Sequence, residues 1–419
     1  MHESRPAKIT SPVISLSDSY IKLVPLGLIV GVIGIGMALF FGMGAGGYRR
    51  FGYSYLTSFG FLLSLSLGCL FFVIVQHLTK AAWSVPVRRI AEIFAMCTFP
   101  LVILFLPILL PVLVGSSEIY PWNASGWAND DGMQQLKDAF LSPGFFGMRW
   151  VAYFVIWGVL GWNFLGKSLK QDQSGDASLT RKMQRSSTWM MIVFAATLVF
   201  ASFDLEMSLS PLWFSTMFPV YFFAGGVMGG LAAITLTSLL LQRSGRVTDE
   251  ISVEQYHDLA KLMFAFIFFW GYIAFSQFML IWYANIPEET FWFRFRMWDP
   301  IWGKCTWLLL FGHLIIPFLG LMARTVRRNK SYLLFASIYV LAIHWYDHFW
   351  VVMPQYQFDV LGNQLSGRTG FPFSVWIDIP CAIGMIGLYV SLFCLIAGDR
   401  PLVPKRDPRL GEALNHKNL

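Results

Sequence analysis

The sequence predicts an all-α integral membrane protein with ten transmembrane helices. Three observations carry that reading. Of 419 residues, 56% are hydrophobic and only 13% charged, against about 25% charged in soluble domains. The apolar residues fall into blocks of about twenty or more, the length that crosses a bilayer as helix. Lys and Arg collect in alternate loops, as the positive-inside rule requires.

The ten blocks are 21–43, 53–77, 90–114, 145–165, 186–203, 212–241, 258–284, 299–322, 331–353 and 373–397. None shows the strict alternation of a barrel strand, and all exceed barrel-strand length, so helix is the expected state. The segments that would face the cytoplasm (the N-terminus through Lys22, 78–89, 166–185, 242–257, 323–330 and the tail from 398) hold 22 Lys/Arg. The opposite loops hold 6. Both termini are therefore expected in the cytoplasm, as tails 1–20 and 398–419. The net charge of +7 resides in these loops; it marks membrane topology, and no nucleic-acid partner is expected. The first apolar block follows a polar stretch of about twenty residues and has no A-x-A-like cleavage site, so no cleavable signal peptide is expected.

The five cysteines, Cys69, Cys97, Cys305, Cys381 and Cys394, all lie in apolar blocks without a CxxC pair. That argues against disulfides, zinc sites, iron–sulfur clusters and covalent haem in this chain. The Asn123-Ala124-Ser125 sequon in the long loop 115–144 reads as accidental.

Ionisable groups placed by depth form two clusters. The outer one holds Asp204 and Glu206 after the fifth block, Arg149, Asp299, Lys304 and Asp378 near block ends, and HWYDHFW in the ninth block. There His344, Asp347 and His348 share one face at i, i+3 and i+4. The inner one holds Gln76, His77, Glu92, His257, Asp258 and Lys261. Between them sit His313, Tyr272, Gln277, Ser64 and Ser66. Ionised groups at such depth need partners, water or a task. One reading is a pair of half-channels that pass protons through Asp204, His344, Asp347, Asp378, His313, His77, Glu92 and Lys261. The other is interfacial anchoring, above all for Lys261, His257, Asp258 and Asp299, whose side chains can reach headgroups. His313 alone on an apolar face also fits a satisfied core histidine. His313 and His344 are the only core pair for bis-histidine haem, thin support for b-haem. The aromatic stripes suit packing, with a quinone pocket as the minority reading.

Three long strings, SLSPLWFSTMFPVYFFAGG, HDLAKLMFAFIFFWGYIAFSQFMLIWYANIPEET and FGYSYLTSFGFLLSLSLGCLFFVIVQHLTKAAWSVPVRRIAE, resemble the ActF-like membrane subunit of bacterial alternative complex III. More loosely they resemble its relative ActC and the NrfD/PsrC-like subunits. The resemblance runs from the second block to the tenth. It implies a non-haem subunit of a quinol:electron-acceptor (cytochrome c) oxidoreductase in the bacterial inner membrane. Two four-helix bundles, helices 2–5 (53–203) and 6–9 (212–353), would be flanked by helices 1 and 10. Quinone or quinol contact and a proton path are implied for this chain. Haem and iron–sulfur cofactors belong to partners: a multihaem cytochrome c, an iron–sulfur subunit and a second NrfD-like subunit. By position, Asp204 falls in the family's DWxMSL-like stretch, with Leu205 where Trp is usual. His77 falls in its QHLT string, Glu92 in RRxAE and Lys261 in HDLxK. His344, Asp347 and Asp378 fall at polar positions of helices 9 and 10. The residues alone also admit a stand-alone secondary transporter or a purely structural scaffold.

Overall fold

The computed structural model describes residues 11, 14–16, 19–127, 137–360, 362–368 and 370–418. The first ten residues of the expected N-terminal tail lie outside that set. Among the described residues the regular structure is helical, with one isolated bridge between Phe358 and Gln364. The helices are α1 (Ser19–Leu78), α2 (Val85–Met96), α3 (Leu101–Leu113), α4 (Pro143–Ser174), α5 (Ser178–Leu205), α6 (Phe218–Arg243), α7 (Val253–Ala284), α8 (Pro287–Met297), α9 (Trp302–Met322), α10 (Lys330–Val352) and α11 (Asp378–Ala397). Among the described residues, eight helical stretches are long and apolar enough to cross a membrane, counting α2 and α3 as one. The protein is a multi-pass integral membrane protein.

The two blocks expected at 21–43 and 53–77 merge into the 60 residues of α1. Straight, that helix would measure about 90 Å, three times a hydrocarbon core of about 30 Å. It is not straight. Gly46 leaves the helical region with φ −178° and ψ 22°, and Gly47 has φ +69°, a left-handed conformation that glycine adopts without strain. Before the break, Gly27 lies against Gly387, and Gly34 lies against Pro380 and Gly384. The first arm of α1 thus runs antiparallel to α11. After the break, Arg50 bonds Asp378 and Ser66 bonds Tyr389. The second arm runs parallel to α11, so the chain has turned back on itself at Gly46–Gly47.

Small residues set the spacing at the centre. In α6 the run AGGVMGG presents two faces. Gly226 and Gly230 meet the backbone of the second arm of α1: a Cβ on Gly226 would stand 2.8 Å from the Ser64 carbonyl oxygen, and one on Gly230 3.0 Å from the Cys69 nitrogen. Gly225 and Gly229 instead cradle the ring of His344 on α10, with Cβ-to-ring distances of 2.9 and 2.7 Å. Both are closer than real Cβ contacts allow. Helix approach without a strong hydrophobic drive depends on such packing. Gly226→Leu is therefore expected to force α6 from α1 and destabilise the fold by about 1–3 kcal/mol or more. Thermal denaturation in detergent checks this, with Gly36→Leu as control, because a Cβ on Gly36 meets nothing within 4 Å.

The expected block 90–114 is interrupted. α2 stops at Met96 and α3 begins at Leu101, after Pro100. The ninth helix is also irregular: Leu310–Ile315 forms a π-helical segment inside α9. Outside the spans, Asn123 donates its side-chain amide to the carbonyls of Val112 and Ser116 at 2.9 Å each, so the sequon side chain closes the end of α3.

The chain end is fastened across the Lys/Arg-rich face. Buried Arg88 pairs with Asp407 and, at 3.6 Å, with Glu92. Buried Arg89 reaches Glu92, Asp172, Ser168 and the Pro401 carbonyl. Gln255 donates to the Ala413 carbonyl at 2.9 Å, His416 meets Asp258 at 2.8 Å, and Asn418 donates to Glu254 at 3.1 Å. Near the other end, the Leu402 amide donates to the Ile14 carbonyl at 2.7 Å. Burial and pairing are what allow so many charges in the protein interior.

Candidate functional site

One buried polar cluster lies where α1, α6, α7, α9 and α10 meet. Its largest contribution comes from α10, where His344, Asp347 and His348 lie on one face. His344 is about 12 Å from the Val352 end of that helix, at 1.5 Å per residue. Across from them, α1 supplies Ser64, α6 supplies Tyr221, α7 supplies Trp270 and the π-helical segment of α9 supplies His313. Glu206, just past the end of α5, completes the group. All of these ionisable side chains are buried.

The hydrogen-bond directions can be read from Ser64. Its hydroxyl donates to the Phe61 carbonyl at 2.7 Å. Its oxygen is then the acceptor for His344 Nε2 at 2.9 Å and His348 Nε2 at 3.2 Å. His348 Nδ1 meets Glu206 Oε1 at 2.6 Å. Both nitrogens of His348 thus face oxygen acceptors, the pattern of an imidazolium paired with a carboxylate. His344 is left as the Nε2–H tautomer, with its Nδ1 lone pair unclaimed by any protein donor.

Asp347 sits on the other side of His344. Tyr221 donates its hydroxyl to Oδ1 in a short bond, and Trp270 Nε1 donates to Oδ2 at 3.2 Å. His313 Nε2 stands 3.8 Å from Oδ2, and its ring packs on Trp270 with centroids 3.8 Å apart. Among the described residues, no group bonds either nitrogen of His313.

Tyr221 and Trp270 also form part of the wall of a cavity of about 430 Å³. Its remaining surface is nearly all apolar, with Phe278, Trp292, Trp307 and Trp350 prominent. Gln277 and Thr306 are the polar exceptions, and the buried Oε1 of Gln277 has no donor among the described residues. Arg296 steadies two of these walls. Fully buried, it donates to the Trp292 carbonyl at 3.0 Å and the Val351 carbonyl at 2.7 Å, and its guanidinium lies 3.5 Å over the Trp292 ring. The apolar volume suits a flat, hydrophobic ring system, and the Tyr221–Asp347 bond leads from it to the histidines.

The other residues singled out from sequence lie elsewhere. Asp204 is held by Arg149 through two bonds of 2.6 and 2.8 Å and accepts from Tyr153 at 3.0 Å. Arg149 is in turn stacked on Phe140 and Phe145. Asp378 takes two bonds from Arg50, at 2.6 and 3.1 Å, and one from the Ser374 amide. Both aspartates are thus matched to an arginine in their own places. Glu92 lies in the Arg88–Arg89 network under the tail. His77 is buried and stacked on Phe164 with centroids 5.1 Å apart, and neither ring nitrogen has a protein partner. Lys261 is a surface group that pairs with Asp258 at 2.7 Å and donates to Asn418 at 2.9 Å. Asp299 caps α9 by accepting from the Ile301 and Trp302 amides.

Of the eight residues predicted to carry protons, the structure brings three together: His313, His344 and Asp347. It adds His348, Glu206, Ser64, Tyr221 and Trp270. The spacing of His348 from His344 already marked it as sharing their face, and Glu206 stood out as a carboxylate between two apolar blocks. Tyr221 and Trp270 carried no such mark, being two aromatics among many.

A family model described as polysulphide reductase, NrfD matches residues 137–360. That span includes every residue of the cluster except Ser64. No curated protein matches the chain.

Proposed function

The chain belongs to the polysulphide reductase NrfD family, whose members are membrane subunits of quinone-linked oxidoreductase complexes, and from that membership we propose that it serves an alternative complex III as the ActF-type subunit. It crosses the bacterial cytoplasmic membrane ten times, with both termini inside. The doubling back of α1 supports that count, as does α10: 23 residues make about 35 Å of helix, enough to span although its polar residues lower its hydropathy. Two four-helix units flanked by the first arm of α1 and by α11 complete the proposed architecture.

The observation that carries the functional reading is the contact between an apolar cavity and a buried cluster of carboxylate, hydroxyl and imidazole groups, made through Tyr221 and Trp270. Quinol oxidation releases two electrons and two protons. The electrons pass to iron–sulfur and haem groups in partner subunits. Within this chain, a quinol ring bound in the cavity presents a hydroxyl to Gln277 Oε1 or to the Tyr221–Asp347 pair. Asp347 accepts a proton, and His344, Ser64, His348 and Glu206 lead it toward the outer loops. Carboxylates and imidazoles are the side chains that pass protons along buried membrane paths. Asp204 and Asp378, by contrast, act as anchors for Arg149 and Arg50.

Purification of the tagged chain from its native membrane in mild detergent tests the assignment. Haem-bearing and iron–sulfur partners and quinol-driven acceptor reduction are expected in the same fraction. A chain that purifies alone, without haem absorbance, overturns it and favours a free-standing transporter.

A further inference from the structure

Three metal-ligating side chains converge beside Trp270: His313 from α9, and His344 and Asp347 from α10. One donor atom from each lies within 4.8 Å of the others, and all three residues are buried. Their hydrogen bonding leaves the right lone pairs free. His344 Nε2 is committed to Ser64, so Nδ1 is unprotonated and without a protein partner. His313 has two unpartnered ring nitrogens, one of them 3.8 Å from Asp347 Oδ2. Tyr221 and Trp270 fix the carboxylate from behind.

We propose that His313, His344 and Asp347 form a binding site for a divalent transition-metal cation such as zinc. Two imidazoles and a carboxylate are a donor set that zinc takes readily, with bonds of about 2.0–2.2 Å. Tetrahedral ligands at that length stand about 3.3 Å apart, so the His313–Asp347 pair closes by roughly 0.5 Å. The outer partners that hold metal ligands are in place: Ser64 on the far nitrogen of His344, and Tyr221 and Trp270 on Asp347. The π-helical segment, a distortion frequent at functional sites, is what turns His313 toward the other two. A positive ion also balances a carboxylate that has no arginine or lysine bonded to it. The other charged or titratable groups around the cluster are His348 and Glu206, already paired with each other, Tyr221, Tyr346 beside Asp347, and Arg296, which is bonded to the Trp292 and Val351 carbonyls. A cation held there takes the lone pairs that would otherwise move protons, so the site is inhibitory.

The inference shares residues with the proposed proton path but not its test, because zinc content is read without turnover. The purified complex is incubated with zinc sulfate, desalted and analysed by mass spectrometry for retained metal. His313→Gln and His344→Gln are each expected to retain one zinc fewer per copy of this chain than the wild type. Equal retention in all three, or no zinc retained by the wild type, overturns the proposal. Should the variants fail to assemble, zinc-edge X-ray absorption of the loaded wild type decides. A shell of nitrogen and oxygen at about 2.0–2.2 Å with imidazole scattering is expected, and its absence overturns the site.

Discussion

Asp347→Asn in the assembled complex is expected to cut quinol-driven turnover by about a hundredfold or more, within the range of about 10²–10⁴ that a positioned acid–base group contributes. The amide has the carboxylate's shape but cannot take up a proton. It also turns one acceptor into a donor, which then faces either the Tyr221 hydroxyl or Trp270 Nε1, both donors to Asp347. The Tyr221 contact at the cavity wall is weakened at the same time. Asp347→Glu keeps the acid and is expected to restore part of the rate. Steady-state turnover and proton release per electron are the measurements. Unchanged values for Asp347→Asn would remove this carboxylate from the proton path.

Arg149→Ala is expected to have the largest effect on stability. Asp204 is fully buried and takes two bonds from this guanidinium. Deleting one partner of a buried ion pair strands the other charge at a cost of about 3–5 kcal/mol. The alanine also empties the space between Phe140 and Phe145, where the guanidinium is stacked. Combining it with Asp204→Asn removes the stranded charge and is expected to recover most of the loss. A thermal melt of the purified complex gives all three values. If Asp204→Asn alone leaves the melt untouched yet slows turnover, Asp204 is a relay group and not an anchor for Arg149.

Much of this was legible in the sequence. The apolar blocks gave the helices to within a few residues for α7 and α10, because the apolar runs lie just inside helices that open at the polar caps Ser252 and Asn329. The gap between the blocks 21–43 and 53–77 marked the place where α1 turns back, and Gly46 and Gly47 within it take the conformations the reversal needs. The i, i+3, i+4 spacing put His344, Asp347 and His348 on one face. What was hidden depended on tertiary contact. His313 joins the cluster only because a π-helical segment rotates it, and nothing in FGHLI announces that. The matching of Asp204 to Arg149 and of Asp378 to Arg50 joins residues 55 and 328 positions apart. Spacing along the chain could reveal that these acids were deep, but not that each had its own cation. The break between α2 and α3 was obscured by the unbroken hydropathy of the stretch around Pro100.

The first arm of α1 packs through Gly27, Gly31 and Gly34 on Gly384 and Gly387 of α11. Those surfaces are about 360 positions apart, 27 against 387. During synthesis the first arm of α1 therefore lacks this packing partner until the residues of α11 have been made. A nascent chain arrested before residue 378 is left with an orphaned leading helix, open to quality-control proteases or to pairing with the wrong neighbour.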